Sequence, residues 1–309
     1  MNRFVLMMLT VLCVVRIAEA ARVEKPWPVG YALNVAQITD EKISYIKSLG
    51  ISYIELAGIG ALLDKNLQST EVVPNWSKRM QDIATILDRH QVRVWSVHMP
   101  FSRHMDISRL DEPGRLRVLE AHQHVLDALT PVQPRFILFH PSYYLELNQR
   151  EARVDQLLRS VRFLNQAVKD HEWEMVVENM LGPELTVNER ERPLLRTVEE
   201  CLAIFSRFPE EVGLAVDMCH IAEPEHLIRA FGSRVKTLHV SNGNGQAEHH
   251  YLPCDPRGTN DWNAIFSALQ ASGYRGVFMH ECKFQDEQEI VDCYDALWKN
   301  YQTHLSINE

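Results

Sequence analysis

Short apolar runs alternate with longer amphipathic segments along most of this chain. Eight runs have the length and the β-branched or aromatic content of strands, at residues 30–35, 52–56, 92–98, 135–140, 174–178, 213–217, 235–240 and 276–281. The segments between the runs have apolar residues at helical spacing, which would form one apolar face of a helix. In the segment after the fourth run these residues are Val154, Leu157, Leu158, Val161, Leu164 and Val168. In the segment after the eighth run they are Ile290, Cys293, Tyr294, Leu297 and Tyr301. The alternation predicts eight βα units and a parallel sheet.

The sequence favours a closed barrel over an open, doubly wound sheet. Open sheets that bind a dinucleotide carry a G-x-G-x-x-G turn after the first strand, and none is present there. The fourth run is apolar throughout at residues 136–139, as expected of a strand buried on both faces. A (β/α)8 TIM barrel takes roughly 250 residues. We therefore expect a single α/β domain over residues 21–309, a (β/α)8 TIM barrel.

The first 20 residues have the parts of a secretory signal peptide. Arg3 gives a positive start, residues 4–15 form a 12-residue apolar run, and residues 18–20 match an A-x-A cleavage site. A bilayer needs about 20 apolar residues, so we expect no stable membrane anchor. The interpretation is that residues 1–20 are removed and that the protein is exported, to the periplasm or the medium.

The net charge argues against one class of partner. The chain carries 32 Lys and Arg and 41 Asp and Glu, a net charge of −9. Residues 1–20 contain two basic residues and one acidic residue, so their removal leaves 30 and 40 and a net charge of −10. Nucleic-acid-binding proteins normally present a basic face. We therefore expect no nucleic-acid partner.

The cysteines offer no metal motif. Five of them follow the signal segment, at positions 201, 219, 254, 282 and 293, and none has C-x-x-C spacing. The spacing therefore indicates neither a structural zinc knuckle nor a thioredoxin-like site. Cys219 and Cys282, which stand beside strand-end acids, are interpreted as packing residues. The odd number leaves the redox state of the five open.

Potential metal ligands stand at the ends of successive runs. From the third run to the eighth, these residues are His98, His140, Glu178, Asp217, His239 and Glu281. The carboxyl ends of all strands meet at one mouth of a parallel barrel. Carboxylate oxygens and imidazole nitrogens suit Mn²⁺, Co²⁺ or Zn²⁺, and carboxylates buried together require a compensating positive charge. The pattern predicts a metal centre at the mouth.

At these strand ends the chain resembles the xylose isomerase-like TIM barrel family, also called class II AP-endonuclease-like, which contains sugar isomerases, keto-sugar epimerases and inosose dehydratase-type enzymes. The matching segments are VVENM around Glu178, the D-x-x-H of Asp217 and His220, LHVSN at His239, MHEC at Glu281, and PRGTNDW before the seventh helix. The resemblance covers roughly residues 29–301. It implies one divalent ion, of Mn, Co, Mg or Zn, held by Glu178, Asp217, His239 and Glu281.

The same resemblance implies substrate contacts. His220 lies one turn beyond Asp217 and would touch the substrate. His98 and His140 would line the mouth, either as substrate contacts or as ligands of a second metal. Arg257, in the loop after the seventh strand, or Lys283 could bind a phosphate or carboxylate of the substrate, and we assign Arg257 to this role. The long loops 180–196 and 241–259 are expected to act as lids.

The leading functional hypothesis is a metal-dependent isomerase or epimerase that acts on a keto or aldo sugar or a cyclitol. Glu178 and Glu281 are the expected catalytic pair, since carboxylates on opposite faces of the substrate carbon could remove and return a proton through an enediolate. A dehydratase or lyase would use the same chemistry. A non-catalytic sugar-binding barrel is a third class, because fold does not fix function.

The runner-up is a phosphodiester hydrolase that uses several metals, with His98 and His140 as ligands. The DNA-repair members of the family carry a D-x-H pair that completes a third metal site, whereas residues 255–257 offer no histidine. His249 and His250 could take its place, but they are interpreted as exposed loop residues, since polar loops mostly lie on the surface. The substrate, the number of ions and assembly into a homo-oligomer stay open.

Overall fold

The computed structural model describes residues 25–308, so the signal-peptide prediction for residues 1–20 lies outside the described part. Within it, eight parallel strands form the main sheet, and two short strands form a hairpin. The strands are β1 Val29–Asn34, β2 Tyr53–Ala57, β3 Arg93–His98, β4 Phe136–Phe139, β5 Glu174–Glu178, β6 Thr186–Val187, β7 Arg190–Glu191, β8 Gly213–Asp217, β9 Val235–His239 and β10 Phe278–His280. All eight sheet strands begin and end within two residues of their predicted positions.

One α-helix follows each strand of the main sheet. The helices are α1 Asp40–Ser48, α2 Trp76–His90, α3 Glu112–Leu129, α4 Arg150–Asp170, α5 Val198–Phe205, α6 Pro224–Phe231, α7 Trp262–Ala271 and α8 Glu287–Asn308. The apolar faces predicted for α4 and α8 are buried or partly buried in the layer between helices and sheet. None of the helices within residues 25–308 is long and apolar enough to span a membrane.

The main sheet closes into a barrel. Its strand order is β10-β1-β2-β3-β4-β5-β8-β9. Closure occurs between β9 and β10, where the Val240 N–H donates to the Met279 carbonyl at 2.7 Å and the Glu281 N–H donates to the Val240 carbonyl at 3.1 Å. The predicted single (β/α)8 TIM barrel is confirmed.

The barrel interior has two chemically different layers. At the N-terminal end of the strands lies an apolar layer of Trp95, Phe136, Leu138, Val176 and Ala215. The Trp95 indole N–H reaches across the barrel and donates to Thr237 Oγ1 on β9 at 3.2 Å. The C-terminal layer consists of buried polar side chains, Glu55, Ser96, Glu178, Asp217 and His239. The apolar layer closes one end, so the polar layer faces the mouth.

Two long loops extend from the mouth. The loop after β5 carries the β6–β7 hairpin, and Glu191 of β7 pairs with Leu145 of the β4–α4 loop through backbone hydrogen bonds of 2.9 and 3.0 Å. In the loop after β9, Asn242 and Tyr251 exchange backbone hydrogen bonds of 2.8 and 2.9 Å. A disulfide between Cys254 and Cys293 joins this second loop to α8.

Candidate metal centre

Four of the predicted ligands meet at the mouth. Glu178, Asp217 and His239 are the last residues of β5, β8 and β9, and Glu281 directly follows β10. One ligand atom from each lies within 4.8 Å of the others. We call these four residues the central group. Their convergence follows from the parallel barrel, which aligns the carboxyl ends of neighbouring strands.

His239 lies between the carboxylates of the central group. Its Nδ1 is 2.9 Å from Glu178 Oε1, 2.9 Å from Glu281 Oε2 and 3.9 Å from Asp217 Oδ2. Three of the four side chains are almost completely buried, while that of Glu281 is 30% exposed. The group therefore opens to the mouth on the Glu281 side.

Glu55 orients the imidazole of His239 from below. This buried residue of β2 lies with Oε1 at 2.9 Å from His239 Nε2, and its Oε2 accepts a hydrogen bond from the Ser96 hydroxyl at 2.6 Å. The contact leaves Nδ1 facing the other carboxylates. Carboxylates commonly fix the tautomer and ring orientation of a metal-binding histidine in this way.

The central group has more acceptor oxygens than its described neighbours satisfy. Glu178 Oε2 and Asp217 Oδ2 are buried and have no hydrogen-bond partner among residues 25–308. Burial raises the pKa of Asp217 to about 7. Burial also opposes ionisation of Glu178 and Glu281, but the neighbouring His239 outweighs it, so the pKa of Glu281 falls to about 2 and that of Glu178 well below its usual value.

A divalent cation fits this donor set. Buried carboxylates with unpartnered oxygens need a positive charge, and a bound ion would supply both the charge and the coordination. Three carboxylates and one imidazole suit Mn²⁺, Co²⁺ or Zn²⁺. The residues that would hold the ion are those of the central group.

A histidine pair adjoins Glu178 on the side of β3 and β4. The Nε2 atoms of His98 and His140 lie 3.2 Å apart and are 3.6 and 3.1 Å from Glu178 Oε2. His98 Nδ1 faces the Met99 carbonyl at 3.2 Å, which leaves its Nε2 directed at the carboxylate. Burial opposes protonation of both rings; Glu178 nevertheless raises the pKa of His98 to about 9, whereas that of His140 is lowered. The three residues form a second candidate metal site.

Asp217, His220, Glu248 and His250 form a third group, which we call the loop-side group. Glu248 Oε2 is 2.8 Å from His220 Nε2 and 2.9 Å from His250 Nε2. Nδ1 of each ring contacts a backbone carbonyl, at 2.9 and 3.0 Å. Burial opposes protonation of both rings, but the acids outweigh it and raise both pKa values, that of His250 to about 9.

The path of the loop after β9 brings Glu248 and His250 to this position. Gly245 adopts a φ of +70°, and a Cβ there would lie 2.3 Å from the Ala222 amide nitrogen, so only glycine permits this approach. The His250 N–H lies 3.2 Å from Cys219 Sγ, beside Asp217. The loop is thus packed against the segment that carries His220.

The structure does not bring Arg257 into these groups. Its side chain is 68% exposed, its guanidinium pairs with Asp255, and it lies 4.3 Å from the centre of the Tyr251 ring. Its assignment to substrate binding stays a prediction. The interpretation of His250 as an exposed loop residue is wrong, because its side chain is only 20% exposed and faces the loop-side group.

Sequence reasoning missed Glu248 altogether. Glu248 and His250 have the acid-x-His spacing that residues 255–257 lack, with glutamate as the acid, and their side chains contact each other at 2.9 Å. That spacing was the available signal. A second missed feature is Phe101, an exposed ring that stacks on His140 with centroids 4.1 Å apart.

A family model supports the fold. The model described as xylose isomerase-like TIM barrel matches residues 43–295, which is more than half of the chain. The chain belongs to this family. No curated protein matches its sequence.

Several solved structures share the fold of this xylose isomerase-like TIM barrel. A D-tagatose 3-epimerase-like protein is 18% identical with a TM-score of 0.70, and the match covers 91% of this chain and 99% of that one. The 3-keto-D-glucoside 4-epimerase YcjR from E. coli is 18% identical, with a TM-score of 0.65 and coverage of 88% and 99%. D-psicose 3-epimerase from Clostridium cellulolyticum H10 is 16% identical, with a TM-score of 0.67 and coverage of 89% and 98%.

Proposed function

We propose that this xylose isomerase-like TIM barrel is a divalent-metal-dependent isomerase or epimerase of a small carbohydrate, a keto or aldo sugar or a cyclitol. The observation that carries the proposal is the buried central group, whose ligand atoms lie within 4.8 Å of one another at the mouth. Fold alone does not fix function. Similarity to several sugar epimerases nevertheless favours this chemistry among those that the central group could support.

The two glutamates of the central group are suited to proton transfer. A bound divalent ion would polarise the substrate carbonyl and favour loss of a proton from the neighbouring carbon. Glu178 and Glu281 project from β5 and from the end of β10, each with a carboxylate oxygen 2.9 Å from His239 Nδ1. One carboxylate would remove the proton from one face of the carbon and the other would return it to the opposite face.

Solvent exchange tests this proposal. Metal-loaded protein incubated with a panel of keto sugars in D₂O is expected to place deuterium at the carbon whose configuration or oxidation state changes. Products that never acquire solvent deuterium would contradict proton transfer through an enediolate. Loss of water from the substrate would instead indicate the dehydratase form of the same chemistry.

Glu178→Gln is the matching variant. Removing one acid–base group is expected to lower turnover about 10²–10⁴-fold, because the amide cannot accept the proton. Glu174→Gln is the control, since Glu174 lies at the opposite end of β5, is 44% exposed and pairs with Arg135 at 3.4 Å. Equal turnover in the two variants would remove Glu178 from the catalytic pair.

A second candidate function, a multi-metal phosphodiester hydrolase, is favoured by a specific observation. The histidine pair shares Glu178 with the central group, and the loop-side group shares Asp217 with it. Carboxylates shared in this way suit metal ions about 3.5–4 Å apart, as in two-metal hydrolases. Two or three ions per purified chain, together with cleavage of bis(4-nitrophenyl) phosphate, would favour the hydrolase; one ion and no cleavage would favour the isomerase.

We also propose that the protein acts outside the cytoplasm. The signal-like residues 1–20 motivate the proposal, and the Cys254–Cys293 disulfide supports it because such bonds persist mainly in oxidising compartments. Cell fractionation of the natural host tests it. Recovery of an uncleaved chain from the cytoplasm would contradict it.

A further inference from the structure

An arginine-lined crevice lies on one side of the mouth. It has a volume of about 270 Å³ and is formed by the loops after β3 and β4, the start of α4 and strand β7. Four arginines line it, Arg103, Arg109, Arg153 and Arg190. On a chain with a net charge of −9, this is a local concentration of positive charge.

The acids that line the crevice do not cancel the charge of its arginines. Its acidic side chains are Asp106, Asp111 and Glu146, one fewer than the arginines. Arg153 pairs with Asp106, Arg109 with Asp111 at 3.1 Å and Arg190 with Glu146 at 3.4 Å. The fourth, Arg103, directs its Nε–H at His104 Nε2, 3.0 Å away. The residues that line the crevice therefore carry a net charge of +1, four arginines against three acids.

The guanidinium groups also have unused donors. The Nε atoms of Arg109, Arg153 and Arg190 are buried and have no hydrogen-bond partner among residues 25–308. Arg153 itself is only 8% exposed. Because a buried donor without an acceptor destabilises the folded state, such groups are normally satisfied by a neighbour, a water or a ligand. An anion seated between the arginines would provide acceptor oxygens.

The crevice adjoins a small cavity that His140 of the histidine pair lines. Tyr143 and Asp106 line both the crevice and the small cavity beside His140 and Phe101. Arg190 lies over the Tyr143 ring at 5.7 Å and belongs to the hairpin in the loop after β5. A substrate that reached from the histidine pair past Tyr143 would place its far end among the arginines.

We propose that this crevice binds an anionic group of the substrate, of the phosphate or sulfate type, so that the enzyme acts on a charged carbohydrate. The planar guanidinium fork matches the oxygens of such groups. The inference rests on the proposed function, because it assumes a substrate held at the central group. In this proposal the crevice, with its four arginines, contacts the anionic group in place of the single exposed Arg257.

Inorganic phosphate, titrated calorimetrically into the metal-loaded full chain, tests the crevice. Wild type is expected to bind phosphate saturably. A double variant, Arg109→Gln with Arg190→Gln, is expected to bind it about tenfold more weakly or worse, since two charge-assisted donors are lost. Arg153 is left in place because its removal would leave Asp106 buried without its ion-pair partner.

Arg207→Gln is the matched control. Arg207 is about half exposed, pairs with Asp155 at 2.7 Å and does not line the crevice, so its replacement is expected to leave phosphate binding unchanged. Equal binding by wild type and the double variant would overturn the proposal, as would the absence of saturable binding.

A further variant separates this inference from the proposed function. Phosphate binding that disappears in Glu178→Gln but persists in the double variant would place the anion at the metal centre and overturn the crevice alone. Metal content reports on the centre independently. We expect the double variant to bind as much metal as wild type, and a loss of metal from it would contradict a site separate from the centre.

Discussion

The central group and the loop-side group are built in different ways. Every residue of the central group ends a barrel strand or directly follows one, where the hydrogen bonds of the sheet fix the backbone. The loop-side group instead takes Glu248 and His250 from the long loop after β9. Side chains at strand ends are positioned by the rigid barrel. The position of a side chain on a loop depends instead on the contacts that fix the loop. We therefore expect perturbations of the loop to weaken one group and spare the other.

The loop after β9 has its own supports. The buried Asn242 side chain donates to the carbonyls of Pro253 and Asp255 at 3.1 and 3.0 Å. The Cys254–Cys293 disulfide then ties the loop to α8. These contacts hold the end of the loop that leads into α7, and the Cys219 contact holds the part that carries His250.

The largest expected effect comes from the central group. His239→Gln retains an amide donor able to face Glu55 but removes the Nδ1 atom that lies between the carboxylates. Metal affinity is expected to fall by more than about 100-fold, because even the loss of an outer partner costs about 10–100-fold. Competition with a metal-binding dye measures the affinity, and circular dichroism checks the fold. Retention of wild-type affinity would show that the ion does not need His239.

Removing the disulfide is expected to have the next largest effect. The joint change Cys254→Ser and Cys293→Ser should lower the free energy of unfolding by about 2–4 kcal/mol, because the bond closes a loop with a sequence separation of 39. Denaturant titration measures it. Cys282→Ser, which removes a free cysteine, is the control. Metal affinity of the central group should stay near that of wild type, and a large loss would contradict its independence from the loop.

A smaller effect is expected from the loop itself. His250→Gln removes one imidazole of the loop-side group and leaves the central group complete. Affinity for the first ion should change by no more than about tenfold, the lower end of outer-partner effects. If additional ions bind, their number per chain should fall by one, measured by elemental analysis. Loss of every ion would contradict the division into two groups.

The same division explains what the sequence could predict. Alternating apolar runs are enough to position eight strands, and a parallel barrel brings the last residues of these strands together. The sequence pattern alone therefore predicts that Glu178, Asp217 and His239 lie together at the mouth. The position of Glu248 depends on Gly245, on Asn242 and on a disulfide whose partner lies 39 residues away. Loop paths are fixed by such particular contacts and have no periodic pattern from which to predict them.

The protonation states of the buried histidines also could not be predicted from the sequence. His98 and His239 lie among carboxylates, which raise the pKa of each against the effect of burial. His122 and His280 are equally buried, and burial lowers their pKa values to about 3 and about 4, since no carboxylate among residues 25–308 offsets it. Burial alone therefore does not tell a site histidine from a core histidine; the charge of the neighbours decides.

His122 gives the smallest of the expected effects and a reference point outside both groups. Its ring packs on the edge of Phe139 at 5.1 Å, and its Nδ1 has no partner among residues 25–308. Because burial holds its pKa at about 3, while an unfolded histidine titrates near 6.5, the unfolded chain gains a proton between these values that the folded chain does not bind. His122 therefore does not reduce the free energy of unfolding above pH about 6.5. Between pH about 6.5 and about 3 it lowers that free energy by about 1.4 kcal/mol for each unit by which the pH falls.

Replacing His122 removes that one contribution. His122→Leu is expected to make the free energy of unfolding less dependent on pH between about 4 and 6. Its slope against pH should fall by the equivalent of one bound proton, about 1.4 kcal/mol per pH unit, measured by denaturant titration at several pH values. His124→Gln controls for the loss of an imidazole from α3, since its ring is half-buried and contacts the Thr70 carbonyl at 2.7 Å. An unchanged slope in His122→Leu would mean that His122 is protonated inside the folded protein, and that a core histidine can carry charge without the carboxylates that distinguish the mouth.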